Sequence, residues 1–311
     1  MVNDDDPTML PIEVVAAVIR DSEGNVLIAQ RPLDKHQGGK WEFPGGKVEK
    51  GESRRSALVR ELYEELGIEI GHSTRLISVY HEYEDKAIYL DVYEVLQWNG
   101  TAAGKEGQPV RWVACESLNE FEFPAANASI VEAAMLPKQI KILGTAVDID
   151  SYKEVFISNL ESGHRMFLQA FNEEETIFKP DHESLNWLLD KAADNNATIV
   201  LESPPPLIRN DYSLHLSADE LLKIQERPVA NKVSATCSTP GDLFKAQRLG
   251  LDFIIIGPVL TSSAQDGRQA LGWPTFQSLS GRINLPIYAS GGLTTKDMEL
   301  AREYGAQGIV D

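Results

Sequence analysis

The chain has 311 residues and a formal charge of −18, which is room for two hydrophobic cores, because single domains usually run ~100 to 200 residues. So acidic a chain is poorly suited to nucleic-acid polymers, whose non-specific binding comes from counterions displaced by Lys and Arg; a small anionic ligand held through metal ions stays open. Cys115 and Cys237 are the only cysteines and lack Cys-x-x-Cys spacing, which argues against a disulfide framework or a zinc site. No apolar run reaches ~18 residues, and residues 1–6 are acidic where a secretory signal is basic, so the expected setting is cytoplasmic, without a membrane partner.

Residues 14–20 and 26–30 are β-branched apolar runs around Asp21-Ser22-Glu23-Gly24-Asn25, a hairpin signature. A loop with Gly38-Gly39 and Pro44-Gly45-Gly46 follows, then a helix pattern over 53–66 that Gly67 stops. Strand-like runs at 76–82, 88–96 and 110–114 precede a helix at 128–136. This order predicts an α+β domain, a mixed sheet between helices, over residues 1–136. Beyond Pro137 the rhythm changes. Runs at 140–147, 166–170, 198–201, 213–216, 232–235, 253–256, 286–289 and 308–310 alternate with helix patterns, which predicts an α/β (βα)₈ TIM-type barrel over residues 140–311. The sequence stops straight after the eighth run, so the barrel is expected to lack its last helix, as if truncated.

The chemistry of the first domain sits on the helix at 53–66. Leu58, Leu62 and Leu66 recur every four residues as a buried stripe, while Glu61, Glu64 and Glu65 project together from another face. Like charges at that spacing repel by ~0.2 to 0.5 kcal/mol per pair. A divalent cation reverses the sign, and Mg²⁺ commonly joins protein carboxylates to substrate phosphates. Gly45 and Gly46 let the backbone come close to phosphate or metal. From Gly46 to Ile68 the chain satisfies the pattern G-x5-E-x7-R-E-U-x-E-E-x-G-U, U being aliphatic, without a mismatch; it is identified as a Nudix box. That resemblance implies Mg²⁺-dependent cleavage of a pyrophosphate bond, with Mn²⁺ as a substitute. Glu61, Glu64, Glu65 and the Gly45 carbonyl would hold metal, and Glu52 and Arg60 would support them.

The resemblance extends over residues 14–136 to the MutT type, which hydrolyses oxidised guanine nucleoside triphosphates such as 8-oxo-dGTP to the monophosphate and pyrophosphate. It is carried by Gln30-Arg31-Pro32, Asp34-Lys35-His36, Lys40-Trp41-Glu42-Phe43-Pro44-Gly45-Gly46-Lys47, Gly104-Lys105-Glu106-Gly107-Gln108-Pro109 and Phe123-Pro124-Ala125-Ala126-Asn127. It implies a guanine-edge contact from Asn127, a nucleotide contact from Arg31 and a further metal-site carboxylate from Glu106. His36 and Lys86 join the substrate side, Lys86 standing where the type has an arginine. A plain helix N-cap is the competing reading of Asn127.

In the second domain, residues 249–259, Leu271-Gly272-Trp273 and residues 285–293 resemble thiamine-phosphate synthase and its TenI-type relatives. Ser290-Gly291-Gly292 follows a strand, and its amides are candidates for holding a phosphate. The departures argue against a working synthase. Phe171 and Glu173 replace an arginine and a lysine, Glu202-Ser203 replaces an Asn-Asp pair, and Gln265 replaces a phosphate-contacting lysine. His215 and Ser234 match the pattern yet also read as ordinary inward-facing barrel residues; Glu202 and Glu220 remain as carboxylates. Three readings follow: a MutT-like pyrophosphohydrolase with a degenerate barrel, a hydrolase of a thiamine-related pyrophosphate in salvage, or a barrel that senses a phosphorylated ligand without catalysis.

Overall fold

The computed structural model describes residues 11–143, 148–170, 181–202, 212–261, 269–281 and 283–311. The first strands are β1 (Ile12–Ile19), β2 (Val26–Gln30), β3 (Trp41–Glu42) and β4 (Gly45–Lys47). Helix α1 (Arg54–Leu66) follows, then β5 (Glu69–Ile70), β6 (Ser73–Glu82), β7 (Ala87–Val95), β8 (Trp98–Asn99), β9 (Val110–Val113) and α2 (Ala128–Met135). The main sheet has the order β4-β1-β7-β6, with β1 parallel to β7 and the outer pairs antiparallel. It is mixed, as the sequence order predicts.

Alternation along β1 explains why a helix lies on each face. Val15, Ala17 and Ile19 pack with Leu58, Leu62 and Leu66 of α1. Ala16 and Val18 turn the other way and pack with Ile130, Val131, Ala133 and Ala134 of α2. Each fully buried leucine contributes about 1.5–3 kcal/mol. Helix α1 starts where Ser53 accepts from the Ser56 amide and ends where Gly67 takes the left-handed φ of 69°.

The expected hairpin of 14–20 and 26–30 needs correction. Its turn exists: Asp21 accepts from the Glu23 and Asn25 amides, both at 2.9 Å. The strands nonetheless meet only at the Arg20–Val26 bridge, because β1 pairs with β4 and β7 while β2 joins β3 and β9 in a second sheet. The stretch expected to be loop around Gly38 to Gly46 also contains β3 and β4.

The chain divides into Met1–Leu136 and Pro137–Asp311. The second unit is a closed barrel of parallel strands: β10 (Gln139–Ile142), β11 (Met166–Ala170), β12 (Thr198–Glu202), β13 (Ser213–Leu216), β14 (Val233–Cys237), β15 (Phe253–Ile256), β16 (Ile287–Ala289) and β17 (Gly308–Val310). Its helices are α3 (Ile149–Glu161), α4 (His182–Asp194), α5 (Ala218–Lys223), α6 (Pro240–Arg248), α7 (Gly272–Ser280) and α8 (Met298–Glu303). Asp148, Asp181, Ser217 and Thr239 each cap the helix they precede, which satisfies amides that have no partner within the helix.

Candidate active site

Arg60 is the hub of the helix α1 cluster. Its Nε and Nη2 donate to the two Glu52 oxygens at 3.0 and 2.9 Å, and Nη1 donates to Glu61 at 2.8 Å and Glu64 at 3.2 Å. Nη2 also reaches the Lys47 carbonyl at 3.0 Å. The fork that makes arginine suited to two-point pairing accounts for this geometry. These hydrogen bonds hold the Arg60 guanidinium above the usual arginine range and the Glu52 carboxyl below its usual range.

Glu65 is set apart from the other carboxylates of α1. Burial pushes its carboxyl up to about 8; the Gly45 amide, donating at 3.0 Å, opposes that rise, and Glu42, Glu61 and Glu106 add to it by repulsion. A carboxylate crowded by three others in a half-buried place is a site short of positive charge. Gly46 lets α1 approach this close, and Gly45 lets β4 lie against β1. A Cβ on Gly46 would stand 2.3 Å from the Glu61 carboxyl, and one on Gly45 would stand 2.1 Å from the Val15 carbonyl oxygen.

The donor set, hard carboxylate oxygens beside a bare backbone, fits a divalent cation of the Mg²⁺ type. Among the described residues no three acidic, His or Cys side chains are already gathered in ligating geometry. Glu61 and Glu64 are held by Arg60, and Glu61 is near enough to Glu65 to raise its carboxyl by repulsion. Gly45, Glu65 and Glu106 already line one cleft.

That cleft has a volume of about 470 Å³, within the usual range for small-molecule sites. Gly45, Gly46, Glu65 and Glu106 lie on its wall together with Arg31, His36, Lys86 and Asn127. Val14, Ile88 and Leu90 supply apolar lining. Glu52, Arg60, Glu61 and Glu64 are not part of that lining.

Asn127 is buried at 9 % exposure, ends a 3-10 turn (Ala125–Asn127), and its side chain makes no capping hydrogen bond to α2. It stands at the N-cap position of α2, where the cap reading expects it, but without the capping hydrogen bond. Arg31 donates to the His36 carbonyl at 3.0 Å and forms an ion pair with Glu42 inside the cleft. Burial raises the Glu42 carboxyl, and Arg31 works against that rise. His36 stands edge-on to the Tyr83 ring at 5.0 Å, and the Lys86 ammonium is 6.0 Å from the same ring centroid.

Glu42 and Tyr83 also line the cleft and were not singled out from sequence. Glu42 has no charge pattern of its own, but a carboxylate between Trp41 and Phe43 in a strand is a usable signal of a partnered, inward acid. Tyr83 lies in the β6–β7 turn, where its amide bonds the Lys86 carbonyl at 2.8 Å; a lone turn aromatic carries no such signal.

The barrel residues fare differently. The amide of Ser290 donates to the Ile256 carbonyl at 3.0 Å, so it is unavailable to a phosphate, which corrects the expectation for that residue. Gly291 and Gly292 have φ of 86° and 66°, conformations that glycine adopts without a Cβ clash. His215 is buried between Ser234 and Thr236, each hydroxyl 2.9 Å from one ring nitrogen, and burial pulls its pKa down to about 4. Glu220 closes the capping box of α5, accepting from the Ser217 amide at 2.8 Å and its hydroxyl at 2.9 Å. Phe171, Glu173, Ser203 and Gln265 lie outside the described residues. No helix among the described residues is long and apolar enough to cross a membrane.

Comparison with known proteins agrees with this division. A NUDIX domain model matches residues 15–133, and a thiamine monophosphate synthase model matches residues 210–310. The chain is 38 % identical to the 8-oxo-dGTP diphosphatase of Escherichia coli K12 over 123 residues, which is 40 % of this chain and 95 % of that protein. It is 42 % identical to the CTP pyrophosphohydrolase of the same organism over 127 residues, 41 % of this chain and 93 % of that protein. A solved MutT structure, from work on Aliivibrio salmonicida and Vibrio cholerae, is similar at 38 % identity and a TM-score of 0.37, covering 40 % of this chain and 98 % of that one. With its acidic helix, its glycine cradle and near full-length coverage of such relatives, the chain belongs to the Nudix family, as a MutT-type hydrolase domain joined to a thiamine-phosphate-synthase-like barrel.

Proposed function

We propose that the first domain is a Mg²⁺-dependent nucleoside triphosphate pyrophosphohydrolase that acts on 8-oxo-dGTP or a related oxidised purine nucleotide, releasing monophosphate and pyrophosphate. The observation that carries this reading is one cleft lined both by Gly45, Glu65 and Glu106 and by Asn127. A nucleotide has the same two-part character, an anionic diphosphate and a planar base. Names of relatives support the substrate class: 8-oxo-dGTP diphosphatases at 38 % and 46 % identity.

When bound, Mg²⁺ supplies charge neutralisation across the diphosphate and activates water for attack on phosphorus. Glu61, Glu64, Glu65 and Glu106, with the Gly45 carbonyl, are the groups that would hold it. Arg60, itself held by Glu52, orients Glu61 and Glu64. Asn127 can donate and accept through one amide, as a purine edge requires, while Val14, Ile88 and Leu90 exclude water from the base. Arg31 stays close to neutral balance with Glu42 and is placed to meet the nucleotide where the loop after β2 borders the cleft.

A second reading has its own observation, the fusion to a thiamine-phosphate-synthase-like barrel. In that case the substrate is a thiamine-related pyrophosphate, and the barrel binds the product or senses a phosphorylated ligand. A phosphate-release panel with Mg²⁺ decides: 8-oxo-dGTP, dGTP, CTP, thiamine diphosphate and hydroxymethylpyrimidine diphosphate. Highest kcat/KM on 8-oxo-dGTP supports the first reading; highest kcat/KM on either thiamine-related compound replaces it with the second.

A further inference from the structure

Asp91 stands on β7 with only 3 % exposure. It is level with Val15 in the parallel β1–β7 pair and so shares the sheet face that packs against α1. A buried carboxylate is strongly unfavourable unless it is partnered, and this one is partnered on several sides. Arg75 Nε donates at 2.7 Å, and the Ser78 and Tyr93 hydroxyls donate at 2.8 Å each. Those three residues belong to β6 and β7. The fourth partner, Arg54 at 3.6 Å, is the first residue of α1.

Arg54 does more than meet Asp91. Its guanidinium pairs with Glu13 of β1 at 3.2 Å and lies 4.8 Å over the Tyr89 ring of β7. One side chain thus ties the first turn of α1 to two neighbouring strands. Glu52, two residues earlier, receives the Arg60 fork, and Arg60 in turn holds Glu61 and Glu64 at 2.8 and 3.2 Å. The side-chain contacts run from Asp91 to Arg54, and two residues of backbone join Arg54 to Glu52 and the Arg60 cluster.

We infer that Asp91 and Arg54 are positioning residues for the divalent-cation site: they fix the start of α1, and with it Glu52, so that Arg60 presents Glu61 and Glu64 in one arrangement. The inference rests on the reading of the α1 acids as that site. Neither residue lies in the cleft wall, and neither is assigned a contact with substrate.

The alternative is that the network only stabilises the sheet, and the same strand carries a control. Glu94 of β7 is 2 % exposed and pairs with Arg20 at 3.0 Å. It is level with Val18 and so faces α2, where Arg20 reaches the Ala134 carbonyl. It is a buried ion pair of the same kind on the opposite face of the sheet.

The experiment titrates the full-length chain with Mn²⁺ in the absence of nucleotide, following free Mn²⁺ by electron paramagnetic resonance, with Tm measured in parallel. Asp91→Asn and Arg54→Gln should each weaken Mn²⁺ binding about tenfold, the scale at which removal of supporting partners acts on metal sites. Arg54→Lys should recover part of that loss, and Glu94→Gln should lower Tm while binding Mn²⁺ like the wild type. Arg54 is 36 % exposed, so its variants keep the test alive if Asp91→Asn fails to fold. Wild-type Mn²⁺ affinity in both Arg54→Gln and folded Asp91→Asn overturns the inference alone. A wild-type chain that binds no Mn²⁺ overturns the metal-site reading beneath it as well.

Discussion

Glu65 couples two properties of the site, its charge deficit and its sensitivity to pH. Its carboxyl titrates near 8 in the folded chain against an ordinary 4.5, so the folded state binds a proton that the unfolded state has released between those values. Its stability contribution is complete below about 4.5 and is lost as pH rises toward 8. The metal-free protein should therefore lose Tm across that window, and Glu65→Gln should flatten the slope in a thermal-melt series; equal slopes in both proteins would refute the assignment. Glu64 is the opposite case, 53 % exposed with Arg60 at 3.2 Å. Glu64→Gln should leave Tm nearly unchanged, since exposed pairs contribute ~0–1 kcal/mol, yet lower pyrophosphate release by orders of magnitude. Retention of more than about a tenth of the rate, ~1.4 kcal/mol of barrier, would remove Glu64 from the metal set. Asn127→Ala should reduce the preference for 8-oxo-dGTP over dGTP in kcat/KM; equal loss on both would separate Asn127 from base recognition. The acids of α1 were legible because helical spacing alone puts them on one face. Glu42 and Asp91 were not, because what partners a strand carboxylate is settled by neighbouring strands distant in sequence.

Among the elements, the pair Gly45-Gly46 separates fold from site. A Cβ at Gly45 meets backbone of β1 at 2.1 Å and sits at a φ of 148°, whereas the nearest atoms to one at Gly46 are the movable end of Glu61 at 2.3 to 2.4 Å. Gly45→Ala should cost about 1–3 kcal/mol of stability, the range for strained backbone positions, visible as a lower Tm. Gly46→Ala should keep its Tm and lose Mn²⁺ affinity and activity together, because it displaces an acid without displacing a strand. A Gly46→Ala protein with full activity would show that Glu61 need not stand where it does. Strongly patterned elements were readable: α1 with its Ser53 cap and Gly67 stop, and four-residue β15, whose apolar run is unbroken. The two-residue strands β3, β5 and β8 were not, since two residues carry no periodicity and pair only because longer strands bring their partners near. The expected hairpin failed for the same reason: its turn chemistry is local, but which strands lie beside β1 and β2 is decided elsewhere in the chain.

For the whole molecule, alternation of strand and helix was enough to predict a barrel, while the role of that barrel was not readable from pattern. His215 and Ser234, matched by type, turn out to be bonded to each other at 2.9 Å in the interior, and Glu220 caps a helix. Phe171, Glu173 and Gln265 carry no positive charge to meet a departing pyrophosphate, and charge-assisted hydrogen bonds contribute ~1.5 to 3 kcal/mol each. The full chain carrying Glu64→Gln, expected to silence the hydrolase, should not form thiamine phosphate from the pyrimidine pyrophosphate and the thiazole phosphate. Turnover at an ordinary enzymatic rate, about 1 s⁻¹, would restore the synthase reading. Closure of the barrel also sets an order of events during synthesis. Strand β10 pairs with β17, and Gln139 meets Asp311 across 172 residues of chain. The sheet cannot be sealed until residues 308–310 have left the ribosome, whereas every strand and helix of the Nudix unit lies before Pro137. Domains fold as units and the N-terminal one first, so a nascent chain should acquire its pyrophosphohydrolase cleft while the barrel is still an open sheet with two unpaired edges.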